Sequence, residues 1–247
     1  MRGFVQLTKS EFKLFIREPF ATFFTLVFPL FLLIVFGSIF GNDPSSLFND
    51  FGYVDFAIPS LSALIIASSG LMTLTTYIAN YREKGILRRM QASPVRPFVL
   101  LFAQIVVILG MTLAGMGILI AAGIVFYDIR FAGDVFSLIA AFGYGSFSFF
   151  AIGFVIAGVL PTARTAHIVS MALFYPIIFL SGATIPVEIF PASVQYVAEI
   201  IPLTHVVSLL KGVWTGQPWS AHIKELVILG IIAIACIGIS AKTFKWE

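Results

Sequence analysis

Five stretches of the chain, Phe20 to Gly41, Phe56 to Ala79, Phe98 to Tyr127, Val135 to Leu160 and Ala166 to Ala183, contain no aspartate, glutamate, lysine or arginine. A sixth, Ile223 to Ala241, carries charge only at its start. At about 1.5 Å per residue, a helix of roughly 20 residues crosses a hydrocarbon core about 30 Å thick. Inside lipid every backbone N–H and C=O must be bonded within the protein, so apolar runs of this length form helices. The predicted fold is therefore all-α: a polytopic membrane protein with six transmembrane helices, forming one domain over residues 1–247. Composition excludes the alternative of a soluble globule, because a chain that is 59% hydrophobic and 11% charged lacks the polar surface to cover itself.

The segments between the spans are informative. Residues 1–19 alternate charge with Phe4, Leu7, Phe12, Phe15 and Ile16 before Pro19, the pattern of an amphipathic helix lying at the cytoplasmic surface with Arg2, Lys9, Lys13 and Arg17 at headgroup level. No signal peptide is expected there, since the apolar run that follows is too long for a signal core. Pro29 is expected to kink the first span, and the hydroxyls of the second to bond carbonyls of their own or a neighbouring helix. Gly110 with Ala114, Gly117 with Ala121, and Gly153 with Ala157 are small-xxx-small pairs expected to admit a neighbouring helix. From Thr184 to Gly216, prolines 186, 191 and 202 cut an apolar segment into pieces too short to cross. Ala192 to Ile201 and Leu203 to Trp214 are read as two short helices that re-enter or cap the outer side, with Pro191, Pro202 and Gly212 expected to break the segment.

Residues 80–97 hold the densest charge between apolar runs: Arg82, Lys84, Arg88, Arg89 and Arg96 against Glu83. Ile86, Leu87 and Met90 fall at helical spacing, so Glu83 to Met90 is read as a short helix with one apolar docking side, closed by Ser93-Pro94 and Arg96-Pro97. Topology alone also accounts for a basic cytoplasmic loop. Of the fifteen lysines and arginines, twelve fall on the side assigned as inside and only Arg130, Lys211 and Lys224 outside. Both termini are accordingly expected in the cytoplasm.

The run Glu83-Lys84-Gly85-Ile86-Leu87-Arg88-Arg89-Met90, followed by Ser93-Pro94, resembles the E-K-G-T-L-E-R-L…T-P stretch after the second span of ABC-2 type permeases. Ile86 stands where threonine is usual and Arg88 where an acid is usual. A second stretch, Ser181-Gly182…Pro186…Pro191…Ile201-Pro202-Leu203-Thr204, resembles the family's S-G…P…P…N-P-L-T signature, with Ile201 in place of asparagine; Glu188 and Glu199 lie within and beside it. The resemblance implies the membrane subunit of an exporter for amphiphilic, lipid-like, glycan or drug substrates, in a prokaryotic cell membrane. It also implies a second permease chain, identical or paralogous, and a separate ATPase that contacts residues 83–90 and binds ATP and magnesium.

No G-x-x-x-x-G-K-[ST] loop occurs, so ATP hydrolysis belongs to a partner. An ion-gradient-driven transporter or channel is the alternative, but no ionisable group is expected at mid-membrane. No nucleophile, base and orienter converge as an enzyme needs. The lone Cys236 and the scattered His167, His205 and His222 form no metal-ligand set, and no nucleic-acid-binding face is present. Cysteines introduced at Asp50 and Glu199 should react with an impermeant maleimide added outside intact cells; protection of both would reverse the topology.

Overall fold

The computed structural model describes residues 2–44, 51–91 and 97–243. It is 86% helical, with no strand among the described residues. An amphipathic helix, α1 (Arg2–Arg17), leads into α2 (Pro19–Phe40). The long α3 (Tyr53–Glu83) is followed by the short α4 (Ile86–Gln91) and by α5 (Pro97–Tyr127). Next come α6 (Val135–Val159) and α7 (Ala163–Leu180), then the bent pair α8 (Ala192–Ile200) and α9 (Pro202–Trp214), and finally α10 (Ile223–Thr243). Among the described residues six helices, α2, α3, α5, α6, α7 and α10 with its leading turn, are long and apolar enough to cross a membrane.

The apolar part of α3 is buried throughout, and α2, α5, α6, α7 and α9 pack around it. Its hydroxyls follow the expected pattern. Ser60, Ser62 and Ser68 donate to the carbonyls of Phe56, Ile58 and Ile65 at 3.0, 2.8 and 3.0 Å, whereas Thr75 donates to Gly70 within α3 and to Gly153 of α6, both at 3.2 Å.

Both α2 and α3 contain a wide, π-helical turn, Phe23–Val27 and Ser68–Leu74. The two turns touch where the hydroxyls of Thr25 and Ser69 lie 3.5 Å apart. The turn in α2 immediately precedes Pro29, which has no N–H to offer the Thr25 carbonyl four residues earlier. That carbonyl faces Gly115 of α5, where an added Cβ would sit 2.6 Å from it.

The close-approach glycines differ in part from those expected. Gly110 and Gly117 face open space, and Ala114 and Ala121 share their exposed side of α5. The contacts are made on another side of the helix, by Gly115 against α2 and by Gly123 against Ile58 of α3. Small-residue spacing marks a smooth helix face, but two such faces were available and the packing used the other. Gly153 does serve as expected, lying against the Gly70 carbonyl, while a Cβ on Gly70 would meet the Phe149 backbone at 2.8 Å.

The bend between α8 and α9 is 92°, and neither helix alone matches the core thickness. α9 runs unbroken through Gly212, contrary to the expected break there, because the His222 ring packs against the space a side chain would fill. It is also sunk into the core through Leu203, Val206, Leu210, Val213 and Trp214.

Gly70→Val should destabilise the bundle by about 1–3 kcal/mol through overpacking, seen as a lower thermal unfolding midpoint in detergent. Gly110→Val, into open space, should leave that midpoint within error of the parent.

Candidate functional site

The polar chemistry of the chain gathers at the two ends of the bundle. At the inner end, α3 closes on a glycine in the left-handed region, Gly85, with φ of +62°. Its N–H bonds the Arg82 carbonyl at 2.9 Å, and that of Lys84 bonds the Asn80 carbonyl at 3.0 Å, the kind of termination glycine favours. The continuous helix expected over Glu83 to Met90 is therefore divided: Glu83 ends α3, Lys84 and Gly85 turn the chain, and α4 begins at Ile86.

The apolar side of α4 does not face outward as a docking patch. Leu87 is 1% exposed in a cluster with Ile78, Tyr81, Leu100 and Leu101, against which Ile86 and Met90 also pack. The exposed side carries Lys84, Arg88 and Arg89, and Arg164 is exposed in the first turn of the neighbouring α7. Ser93, Pro94 and Arg96 lie outside the described residues.

Arg82 and Glu83 each hold a different helix end. The Arg82 guanidinium donates to the carbonyls of Ala157, Gly158 and Leu160, where the last carbonyls of α6 lack intrahelical donors. Glu83 accepts from the Ala163 N–H at 2.7 Å, the first amide of α7, beside the Thr162 cap. A cation on a helix C-terminus and an anion on a helix N-terminus both match the backbone dipoles. The α6–α7 turn is thus tied to the residues immediately before α4. From sequence Glu83 was expected at the rim of a partner contact; it reaches across its own chain instead.

The inner end of α3 is also tied to α1. Glu11, 3% exposed, accepts a hydrogen bond from the Tyr81 hydroxyl, and Phe15 below it is fully buried. The protein-facing stripe of α1 therefore includes a carboxylate, and burial raises the Glu11 carboxyl above its ordinary range despite the opposing effect of the Tyr81 bond.

At the outer end, the second signature builds the α8–α9 bend. Ser181, fully buried, donates to the Ile178 carbonyl at 3.3 Å, and Gly182 turns the chain with φ of +82°. Pro186 precedes a short 3-10 turn over Val187–Ile189 that contains the backbone of Glu188, and Pro191 caps α8. Pro202 opens α9 and cannot donate to the carbonyl of Ala198. That carbonyl accepts from the Ile201 N–H at 3.0 Å and from the Thr204 hydroxyl at 2.6 Å, His205 Nε2 lies 2.9 Å from the Glu199 carbonyl, and Leu203 is fully buried. A cleft of about 570 Å³ opens beside this bend, bordered by Phe56, Glu199, Lys211, His222 and Glu225. Lys211 Nζ sits 3.5 Å over the Phe56 ring, and Ser208 donates to Glu225 at 2.9 Å.

The sequence reading missed Arg82, Glu11, His205 and His222. Arg82 and Glu83 did leave a signal, adjacent opposite charges at a span end. The two histidines left none, because their roles depend on a bend and a helix crossing.

A family model described as ABC-2 type transporter matches residues 2–214, and the chain belongs to that family. It is similar to the probable multidrug ABC transporter permease YbhR of Escherichia coli (strain K12), with 28% identity over 162 residues, covering 66% of this chain and 44% of that protein. It is also similar to the putative transport permease ycf38 of Cyanophora paradoxa, 25% identical over 91% of this chain and 79% of the relative. ABC transporter G family member 20 of Dictyostelium discoideum is 23% identical over 84% of this chain and 29% of its own length. The chain spans less than half of the Escherichia coli relative.

Because the folded state holds the Glu11 proton more tightly than the unfolded chain does, docking of α1 should weaken as pH rises from the ordinary carboxylate range through the raised one. Hydrogen-exchange protection over Phe4–Arg17 should fall accordingly, and Glu11→Gln should flatten the dependence. An unchanged profile in Glu11→Gln would assign the effect to another group.

Proposed function

We propose that this chain is the membrane-spanning permease subunit of an ABC exporter, working with a second permease chain and driven by ATP hydrolysis on a separate nucleotide-binding subunit. The reading places it in a prokaryotic cell membrane with both termini inside. The observation that carries it is the inner face itself: an exposed row of Lys84, Arg88 and Arg89, joined through Gly85 to two residues that grip the α6–α7 turn. Movement of α4 by a docked ATPase would reach three spans through a few residues. Drug-like, lipid-like or glycan substrates fit the family, and the Escherichia coli relative is named for multidrug transport.

The packing changes which residues are proposed to meet the ATPase. Leu87, Ile86 and Met90 support α4 from within, so the contact falls to Lys84, Arg88 and Arg89, and the complementary surface is an acidic groove. Gly85 supplies the turn, and Glu83 contributes by holding α7.

Arg88→Glu combined with Arg89→Glu should lower ATPase co-purification about tenfold or more while the permease keeps its unfolding midpoint. Arg82→Gln with Glu83→Gln should instead retain the bound, hydrolysing ATPase and lose efflux of dye substrates such as ethidium. Leu87→Asp should reduce folded yield, because it buries an unpaired carboxylate. Normal efflux and normal ATPase binding in both charge variants would overturn the proposal.

A further inference from the structure

Between α1 and the inner half of α5 runs an open cleft of about 630 Å³. Its floor is apolar, with Val107 and Met111 buried beneath it, and Phe12 forms one wall at 45% exposure. Gly110 lies on the other side, where an added Cβ would meet nothing within 4 Å. The cations along the cleft are Lys9 and Lys13, one helical turn apart on α1, both exposed, and no acid borders it among the described residues.

We infer that this cleft is a binding site for an anionic phospholipid of the cytoplasmic leaflet. Its phosphodiester headgroup would lie between Lys9 and Lys13 and an acyl chain would lie along the apolar floor past Gly110. Charge decides the occupant. α1 leads directly into α2 at Pro19, so its lysines stand at the membrane boundary, where a free phosphate or sulfate would find the apolar floor unmatched. Another transmembrane helix would bring mainly lysine and arginine to that boundary on the cytoplasmic side, opposing the two lysines. An anionic lipid brings the opposite charge at that level and hydrocarbon below it. Each lysine near such a surface favours anionic over neutral lipid by about fivefold, so two give a preference of roughly 25-fold. The lipid would also cover the exposed edge of α1, whose other side is held by Glu11 and Phe15.

The test is native mass spectrometry of the purified full chain in mild detergent, incubated with equal amounts of phosphatidylglycerol and phosphatidylcholine. The parent should retain phosphatidylglycerol about 25-fold over phosphatidylcholine. Lys9→Gln with Lys13→Gln should lose that preference while still taking up lipid. Gly110→Phe, which fills the cleft and leaves both lysines in place, should lose the bound lipid of either kind, and Gly110→Leu should lose part of it. All variants are compared at matched unfolding midpoints, with Gly110→Leu standing in should the phenylalanine variant not fold. Equal retention of the two lipids by the parent would overturn the inference. So would unchanged phosphatidylglycerol binding in Gly110→Phe, or copy-to-copy crosslinking through a cysteine at position 110, which would make the cleft a protein interface.

Discussion

A helix enclosed by other helices within a membrane gains little from excluding water, because the surrounding lipid is as apolar as its side chains. What holds α3 in the middle of this bundle is close backbone approach. Gly70 against Phe149 and Gly153 against Gly70 bring α6 to it, Gly123 brings α5 against Ile58, and Gly115 brings α5 onto the Thr25 carbonyl of α2, all at distances larger residues would forbid. Thr75, shared between the Gly70 and Gly153 carbonyls, adds a hydrogen bond at the same crossing. The other spans are arranged on this contact, and their outward faces, such as Phe31 of α2, Val125 of α5 and Ile234 of α10, remain exposed and apolar.

With the middle of the bundle apolar, the polar work is done where the helices end. Particular side chains bond the carbonyls or amides at three helix ends: Arg82 at the end of α6, Glu83 at the start of α7, and Thr204 at the end of α8. At the outer side Asp55 serves three segments at once, accepting from Gly52, Asn42 and the Arg130 amide at 3.0, 3.2 and 2.7 Å. The same side chains that complete the fold therefore join neighbouring spans, so the bundle has few places where one helix end can move alone.

The six spans were legible because charge is excluded from lipid, and the predicted limits agree with the structure to within a few residues. The largest discrepancy is α3, which extends from Phe56 back to Tyr53 and from Ala79 on to Glu83. Asp55, Arg82 and Glu83 suggested loop, yet each is hydrogen-bonded near a helix end and lies within the helix. The spacing of Ile86, Leu87 and Met90 correctly marked an apolar face, but periodicity says nothing about whether that face meets a partner or the chain's own core. For the same reason Gly110 could not be told from Gly115. The outer bend was visible in its prolines, whereas the rescue of its carbonyls by Thr204 and His205 required knowing the 92° angle.

The wide turns at Phe23–Val27 and Ser68–Leu74 alter how these spans can be numbered on a wheel. An inserted residue advances the azimuth of everything beyond it by about 100°. Ser60 and Thr76 therefore cannot be assigned to one stripe by counting 3.6 through α3, and the same holds for Phe20 and Phe31 in α2. Scanning mutagenesis of either span divides into two independent phases, one on each side of the Thr25–Ser69 contact. A periodic pattern of sensitive positions fitted across that contact would point a third of a turn away from the true neighbour.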